Sequence, residues 1–257
     1  EVELKLLAWA SDYYHHPIGE LLGSFLPTIL RNIKNVLDDM NSVAKVEIEN
    51  NPFQKNLTQQ QTEAVKTLSE LRGFAPTLLY GVTGSGKTEV YIRCIQEQLL
   101  QQKSVLLLAP EIALTPQLEQ RVKDQFGPAV GMYHSKMTPA KRYKAWKQFR
   151  SGEINILIGT RSAAMMSAPK LGLIIIDEEH DASYKQHEGF KFSARDLAIK
   201  RAQMLKIPII LGSATPSLRT LRLVDEKKFG LIKLTKRITK QNPVSYTHLR
   251  AHETPSN

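Results

Sequence analysis

Cysteine is almost missing from this sequence: Cys94 is the single one in 257 residues. One thiol excludes an internal disulfide framework and a cysteine-based zinc cage, and it agrees with a reducing compartment. Long apolar runs are missing too. No stretch approaches the roughly 18 to 20 uninterrupted apolar residues of a membrane-spanning helix, and the opening Glu1-Val2-Glu3-Leu4-Lys5 lacks the basic-then-apolar layout of a signal peptide. The expectation is a cytoplasmic protein with no membrane partner. Acidic residues are in deficit, with 25 Asp and Glu against 35 Lys and Arg, a formal charge of +10. Such a surplus suits a polyanion, nucleic acid first, through phosphate neutralisation and counterion release, although a solvated basic surface gives the same count. Internal repeats and low-complexity tracts are absent, and 42% hydrophobic with 23% charged residues is an ordinary globular mixture.

What is present is alternation. Short apolar runs at 76–80, 104–109, 129–132, 154–158, 171–177, 208–211 and 231–234 predict strands, with helical patterns in most of the gaps. Val105-Leu106-Leu107-Leu108 and Leu173-Ile174-Ile175-Ile176 carry no polar alternation, as strands do when helices cover both faces of a parallel sheet. A helix is predicted from Thr58, its N-cap, to Leu71. Another is predicted over about 138–150, with Thr138 as N-cap, Pro139 at its first position and Ser151-Gly152 closing it. The fold class expected is α/β, a nucleotide-binding lobe with a mostly parallel sheet flanked by helices.

Ahead of it, Trp9 to Glu20 forms an unusual aromatic and histidine segment, followed by an apolar periodic stretch from Leu21 to Leu37 that reads as one or two helices. It ends a preceding domain or begins a small one. The turn-rich Asn50-Asn51-Pro52 marks a boundary, so the expected domains are 1–50, 51–240 and 241–257. Val244 to Asn257 continues no earlier pattern and resembles translated adapter sequence, which makes 241–257 an expected non-native or disordered tail.

The strongest chemical signal is Gly81-Val82-Thr83-Gly84-Ser85-Gly86-Lys87-Thr88, a G-x-x-x-x-G-K-[ST] pattern after a strand and before a helix. Its glycines let backbone N–H groups turn inward around phosphates, and the following helix N-terminus favours negative charge. Lys87 is expected to reach the β/γ-phosphates, with the Thr88 hydroxyl on Mg2+. Downstream, an apolar strand ends in Asp177-Glu178-Glu179-His180. In a P-loop protein Asp177 would hold Mg2+ and Glu178 would activate water. His15, His16, His134 and His187 lack metal spacing, and the basic run Lys136, Lys141, Arg142, Lys144, Lys147 and Arg150 reads as a solvated helix face.

Asp177 to His180 is a DExH box, and Gly212-Ser213-Ala214-Thr215-Pro216 is similar to the SAT motif of superfamily 2 helicases. Within these the chain resembles the primosomal protein N′ (PriA) family of replication-restart helicases. The resemblance is carried by residues 79–91, 110–117, 158–163, 177–190 and 194–198, and by Tyr13-Tyr14-His15-His16-Pro17-Ile18-Gly19, which look like the end of that family's N-terminal DNA-binding domain. It implies a RecA-like first motor lobe of an ATP-dependent DNA helicase moving 3′ to 5′, active in replication restart and primosome assembly at stalled forks. ATP and Mg2+ are the implied cofactors. Single-stranded and forked DNA, primosome proteins and single-strand-binding protein are the implied partners.

By the same resemblance Lys87, Asp177, Glu178 and His180 are catalytic, and Gln61, Gly81, Thr83, Gly84, Ser85, Gly86, Lys87 and Thr88 hold the nucleotide, Gln61 at the adenine. For Gln61 an exposed first-turn helix residue is an equally good local reading. Thr115, Gln117, Thr160 and Arg161 are expected by that resemblance to contact the DNA backbone, with a plain strand-end turn as the alternative reading. Tyr184 and Lys185 belong to an aromatic-rich loop with Phe190 and Phe192, suited to base stacking; either phenylalanine alone reads equally well as core. Ser213 and Thr215 couple the nucleotide site to the strand-holding surface. The family's arginine finger, in a second motor lobe, and its cysteine-rich zinc insert match nothing here, and only about twenty residues between Leu37 and Leu57 stand where it has a winged helix. The expectation is a fragment deficient in unwinding alone; the alternative is a truncated DNA- and nucleotide-binding module without turnover.

Overall fold

The computed structural model describes residues 2–31, 56–110 and 116–238. The domain boundary expected near residue 50, residues 32–37 of the expected Leu21 to Leu37 helix, Thr115, and the tail expected at 241–257 lie outside the described residues.

Two helices open the chain, α1 (Val2–Tyr14) and α2 (Ile18–Phe25). They are separated by His15, whose φ of 53° is left-handed, and by Pro17, which has no N–H to continue a helix. After α3 (Gln59–Ser69) the chain alternates β1 (Pro76–Gly81), α4 (Lys87–Leu100), β2 (Ser104–Leu108), α5 (Pro116–Phe126), β3 (Val130–Tyr133), α6 (Pro139–Ser151), β4 (Ile156–Gly159), β5 (Leu171–Ile176), α7 (Ala194–Leu205), β6 (Ile209–Ser213), α8 (Leu218–Asp225) and β7 (Gly230–Leu234). The strands form one sheet in the order β3-β4-β2-β5-β6-β1-β7, with every neighbouring pair parallel. All seven apolar runs become strands.

Side chains alternate across this sheet, so two cores form. Leu106, Leu108, Ile174 and Ile176 face Leu6, Leu7, Ala10, Leu21 and Phe25 of the first two helices and Leu197 and Ala198 of α7. Val105, Leu107, Leu173 and Ile175 face Ala64, Leu68, Val90, Ile95, Leu118 and Val122 of α3, α4 and α5. Cys94 is buried in the second core. The first two helices therefore share the lobe's own core. Phe190 seals that junction, edge-on to Tyr14 at 5.6 Å and Phe25 at 5.9 Å and stacked on Phe192 at 4.9 Å between ring centroids. The Tyr14 hydroxyl accepts from Ser193 N at 3.2 Å, and burial pushes its pKa up to about 12.

Caps fall where hydroxyls precede helices. The Thr58 hydroxyl accepts from Gln61 N while Gln61 Oε1 accepts from Thr58 N at 2.8 Å, a reciprocal capping box. Thr138 caps α6 with Pro139 at the first position, and Gly152 ends it with φ 79°. The strand order decides where chemistry collects. β6 lies between β1 and β5, so segments leaving the carboxyl ends of these three strands meet at one rim of the sheet, where ligands of open α/β folds sit.

Candidate functional site

The first of those segments is the loop from Gly81 to Lys87. Gly84 and Gly86 have φ of 81° and 80°, a region a side chain rarely adopts, and these two residues curl the loop back toward the start of α4. Lys87 is buried to 9% exposure; its Nζ donates to Gly81 O at 3.0 Å and lies 3.4 Å from Glu178 Oε1. Ser85 Oγ is buried and finds no hydrogen-bond partner among the described residues. A buried hydroxyl of this kind costs stability until something pairs with it, and a phosphate oxygen is the partner this loop shape admits. Thr88 follows, half-buried in the first turn of α4.

The second segment leaves β5. Asp177 Oδ1 accepts from the Tyr91 hydroxyl at 2.9 Å, and its main-chain carbonyl accepts from the Tyr184 hydroxyl at 2.6 Å. Burial raises the Asp177 carboxyl above its ordinary range, against the lowering effect of the Tyr91 hydrogen bond. Burial, then the Asp177 charge, pushes both phenols well above theirs, so both remain neutral donors. Tyr91 reaches Asp177 because position 212 is glycine: a Cβ there would collide with the Tyr91 hydroxyl. Glu178 adopts φ 44°, and its Oε2 accepts from Ala214 N at 3.5 Å.

The third segment leaves β6. His180 bridges to it with both ring nitrogens, Nδ1 to Ser213 Oγ at 2.8 Å and Nε2 to Thr215 Oγ1 at 3.1 Å. Glu179 is 2% exposed and its carboxylate accepts from Arg195 Nε, Ser217 N and the Thr220 hydroxyl at 2.7, 2.8 and 2.9 Å. One rim thus holds a phosphate-shaped loop with a lysine, two carboxylates facing it, and a histidine relay to a neighbouring loop. Thr88 and Asp177 offer the hard oxygen donors Mg2+ takes. Among the described residues no group of three or more His, Cys, Asp or Glu gathers to hold a metal, and magnesium that draws its other ligands from phosphate and water needs none. The residues present fit a magnesium nucleotide.

Residues 58–224 match the sequence pattern of the DEAD/DEAH box helicases. The chain belongs to that family. Among similar proteins, the replication restart protein PriA of Helicobacter pylori strain 26695 is 40% identical over 237 residues, 92% of this chain and 36% of the relative. That of Haemophilus influenzae is 48% identical over 181 residues, 70% and 25% respectively. The chain spans about a third of the length of the first of these relatives or less. Among solved structures, RecG bound to a three-way DNA junction aligns over 93% of this chain and 30% of its own, with a TM-score of 0.54 at 20% identity. The Pyrococcus furiosus Hef helicase domain aligns over 68% and 37%, with a TM-score of 0.50 at 19% identity. Both share the fold, a RecA-like helicase lobe.

Within this helicase lobe Gly81, Thr83, Gly84, Ser85, Gly86, Lys87, Thr88, Asp177, Glu178, His180, Ser213 and Thr215 come together at one rim. Three side chains depart from the expectations. Tyr184 does not offer a ring for stacking: it is 2% exposed, and its hydroxyl braces Leu108 O and Asp177 O, so the aromatic serves the core beneath the site. Thr160, expected at the DNA backbone, is 1% exposed, and its hydroxyl is buried without a hydrogen-bond partner among the described residues. Gln61 is 1% exposed and has neither the exposed position nor an amide free for adenine, because Nε2 donates to Ser85 O at 3.1 Å and Gly86 O at 3.4 Å while Oε1 serves the cap. Gln117 and Lys185 are exposed, and Arg161 Nη1 donates to Lys185 O at 2.7 Å, tying two expected DNA contacts together. Phe190 and Phe192 are core. Sequence reasoning missed Tyr91, Gly212, Glu179, Arg195 and Thr220. For Glu179 the signal was visible, a third carboxylate in a row with no role given to it.

Proposed function

We propose that this chain supplies the ATP-binding lobe of an ATP-dependent DNA helicase acting in replication restart. The observation that carries the reading is the convergence of Lys87, Asp177, Glu178 and the His180 bridge at one sheet rim. Lys87 and the loop N–H groups bind the β- and γ-phosphates, Thr88 and Asp177 hold Mg2+, which neutralises developing charge when bound, and Glu178 takes the proton of the attacking water. Tyr91 keeps Asp177 aimed. His180, through Ser213 and Thr215, passes the state of the nucleotide site to the surface bearing Gln117, Arg161 and Lys185, where DNA is held.

Similarity to replication restart proteins supports forked and single-stranded DNA as substrates, 3′ to 5′ movement, and primosome proteins and single-strand-binding protein as partners in the cytoplasm. It also supports an arginine finger and a zinc site supplied outside this chain; the finger is worth on the order of 10³ to 10⁵ in rate. The test is ATP hydrolysis with and without forked DNA, in this chain and in a protein of the relatives' length. DNA-stimulated hydrolysis in the longer protein, abolished by Lys87→Ala and weak in this chain, supports the reading. DNA binding without turnover in both would favour the alternative, a binding module.

A further inference from the structure

We propose that Glu179 is a positioning residue that, with Arg195, Ser217 and Thr220, holds Glu178 in the backbone conformation from which it faces the phosphate loop. The inference rests on the reading of Glu178 as the base that activates water. Glu178 has φ 44°, left-handed backbone that is uncommon for a residue with a side chain and that here falls at the end of a strand rather than at a helix terminus. The constraint is visible on both sides of it. Before it, Asp177 N donates to Leu108 O at 2.8 Å and ends the ladder of β5. After it, Glu179 N donates to Gly212 O at 3.0 Å, and the Glu179 side chain turns inward, away from the phosphate loop.

There its carboxylate is fully engaged. Oε2 accepts from Arg195 Nε at 2.7 Å, Thr220 Oγ1 at 2.9 Å and Ser217 Oγ at 3.2 Å, and Oε1 accepts from Ser217 N at 2.8 Å. Arg195 Nη2 donates in turn to Thr220 Oγ1 at 2.6 Å, and Nη1 to Asp196 Oδ1 at 3.1 Å. Arg195 and Thr220 are buried with Glu179. The cluster joins the end of β5 to the first turns of α7 and α8, and Ser217 is itself the N-cap of α8. Asp177 and Glu179 are thus both pinned, which restricts the turn between them. In it Glu178 points outward, its Oε1 3.4 Å from Lys87 Nζ.

A buried ion pair is weak grounds for stability, since an apolar pair of similar volume often replaces it at little cost, and its better-attested use is to fix one geometry among several. Glu179→Ala alone strands the Arg195 guanidinium and can unfold the chain, so the decisive variant replaces both members of the ion pair, Glu179→Leu with Arg195→Met, while the Thr220 and Ser217 hydroxyls keep each other as partners. Its crystal structure is expected to show Glu178 relaxed to negative φ and the Lys87–Glu178 contact opened, while its melting temperature stays within a few degrees of the parent. An unchanged Glu178 in that structure overturns the proposal, and so does an unfolded double variant, which would make the cluster a plain stabilising element. In the protein of the relatives' length, kcat for ATP is expected to fall about 10²-fold, with the affinity for a magnesium nucleotide within twofold. An unaltered kcat would overturn it as well. A parent without hydrolysis, with Glu178 relaxed in the variant as described, would instead sink the helicase reading and leave the positioning of Glu178 standing.

Discussion

Asp177 and Tyr91 form a hydrogen-bonded pair at the rim, and both can be changed one atom at a time. Burial raises the Asp177 carboxyl, so the folded chain holds its proton more readily than the unfolded chain and the ionised form costs stability once pH rises through the folded value. Asp177→Asn removes that cost and still accepts from Tyr91. Its melting temperature at neutral pH should exceed the parent's, by about 2–4 °C for each kcal/mol relieved. The advantage should shrink as pH falls into the ordinary carboxylate range. Thermal melts at stepped pH measure this, and a variant melting below the parent at pH 7 would contradict the direction. Tyr91→Phe loses one hydrogen bond to a carboxylate, about 1.5–3 kcal/mol. Gly212→Ala should cost more, because the new methyl meets the Tyr91 hydroxyl, and part of that cost should vanish when Tyr91→Phe is already in place. Burial likewise pushes the Cys94 thiol up, so a thiol reagent should label it only as the chain unfolds.

Among elements, the joint between α1, α2 and the loop that carries Phe190 is where packing should be most easily read. Phe190→Ala and Phe25→Ala should each cost about 3–5 kcal/mol in urea unfolding, and the double variant should cost less than their sum because they share an edge-to-face contact. Strict additivity would mean the two rings pack independently. The same joint shows what local sequence can and cannot convey. Strands β2 and β5 were legible because Val105 to Leu108 and Leu173 to Ile176 are apolar without alternation, which only burial on both faces requires. Thr58, Thr138 and Pro139 announced helix starts by their own chemistry. Helix α1 was not legible as a lobe element, since Leu6, Leu7 and Ala10 gain their meaning from a partner more than a hundred residues away. Tyr184, Thr160 and Gln61 were misplaced for a related reason. Each lies in a segment that suggests contact with a ligand; the Tyr184 hydroxyl and the Gln61 amide are drawn inward by backbone carbonyls that their neighbours do not reveal, and Thr160 is buried with its hydroxyl unpartnered among the described residues.

For the whole molecule, the proposed function puts a DNA strand near the nucleotide at the rim, and the formal charge of +10 suits it. Binding to single-stranded DNA should weaken steeply with salt, with a slope of roughly −0.7 per phosphate contacted, and Arg161→Ala and Lys185→Ala should each flatten that slope without selecting among sequences. The rim itself admits a more direct test. Calorimetric titration of this chain with a non-hydrolysable ATP analogue, with and without Mg2+, asks whether the lobe is a nucleotide-binding motor element at all. The expected result is one saturable site that needs Mg2+ for full affinity and weakens at least tenfold in Lys87→Ala. Binding that ignores both Mg2+ and Lys87, or no binding in a folded chain, would contradict it.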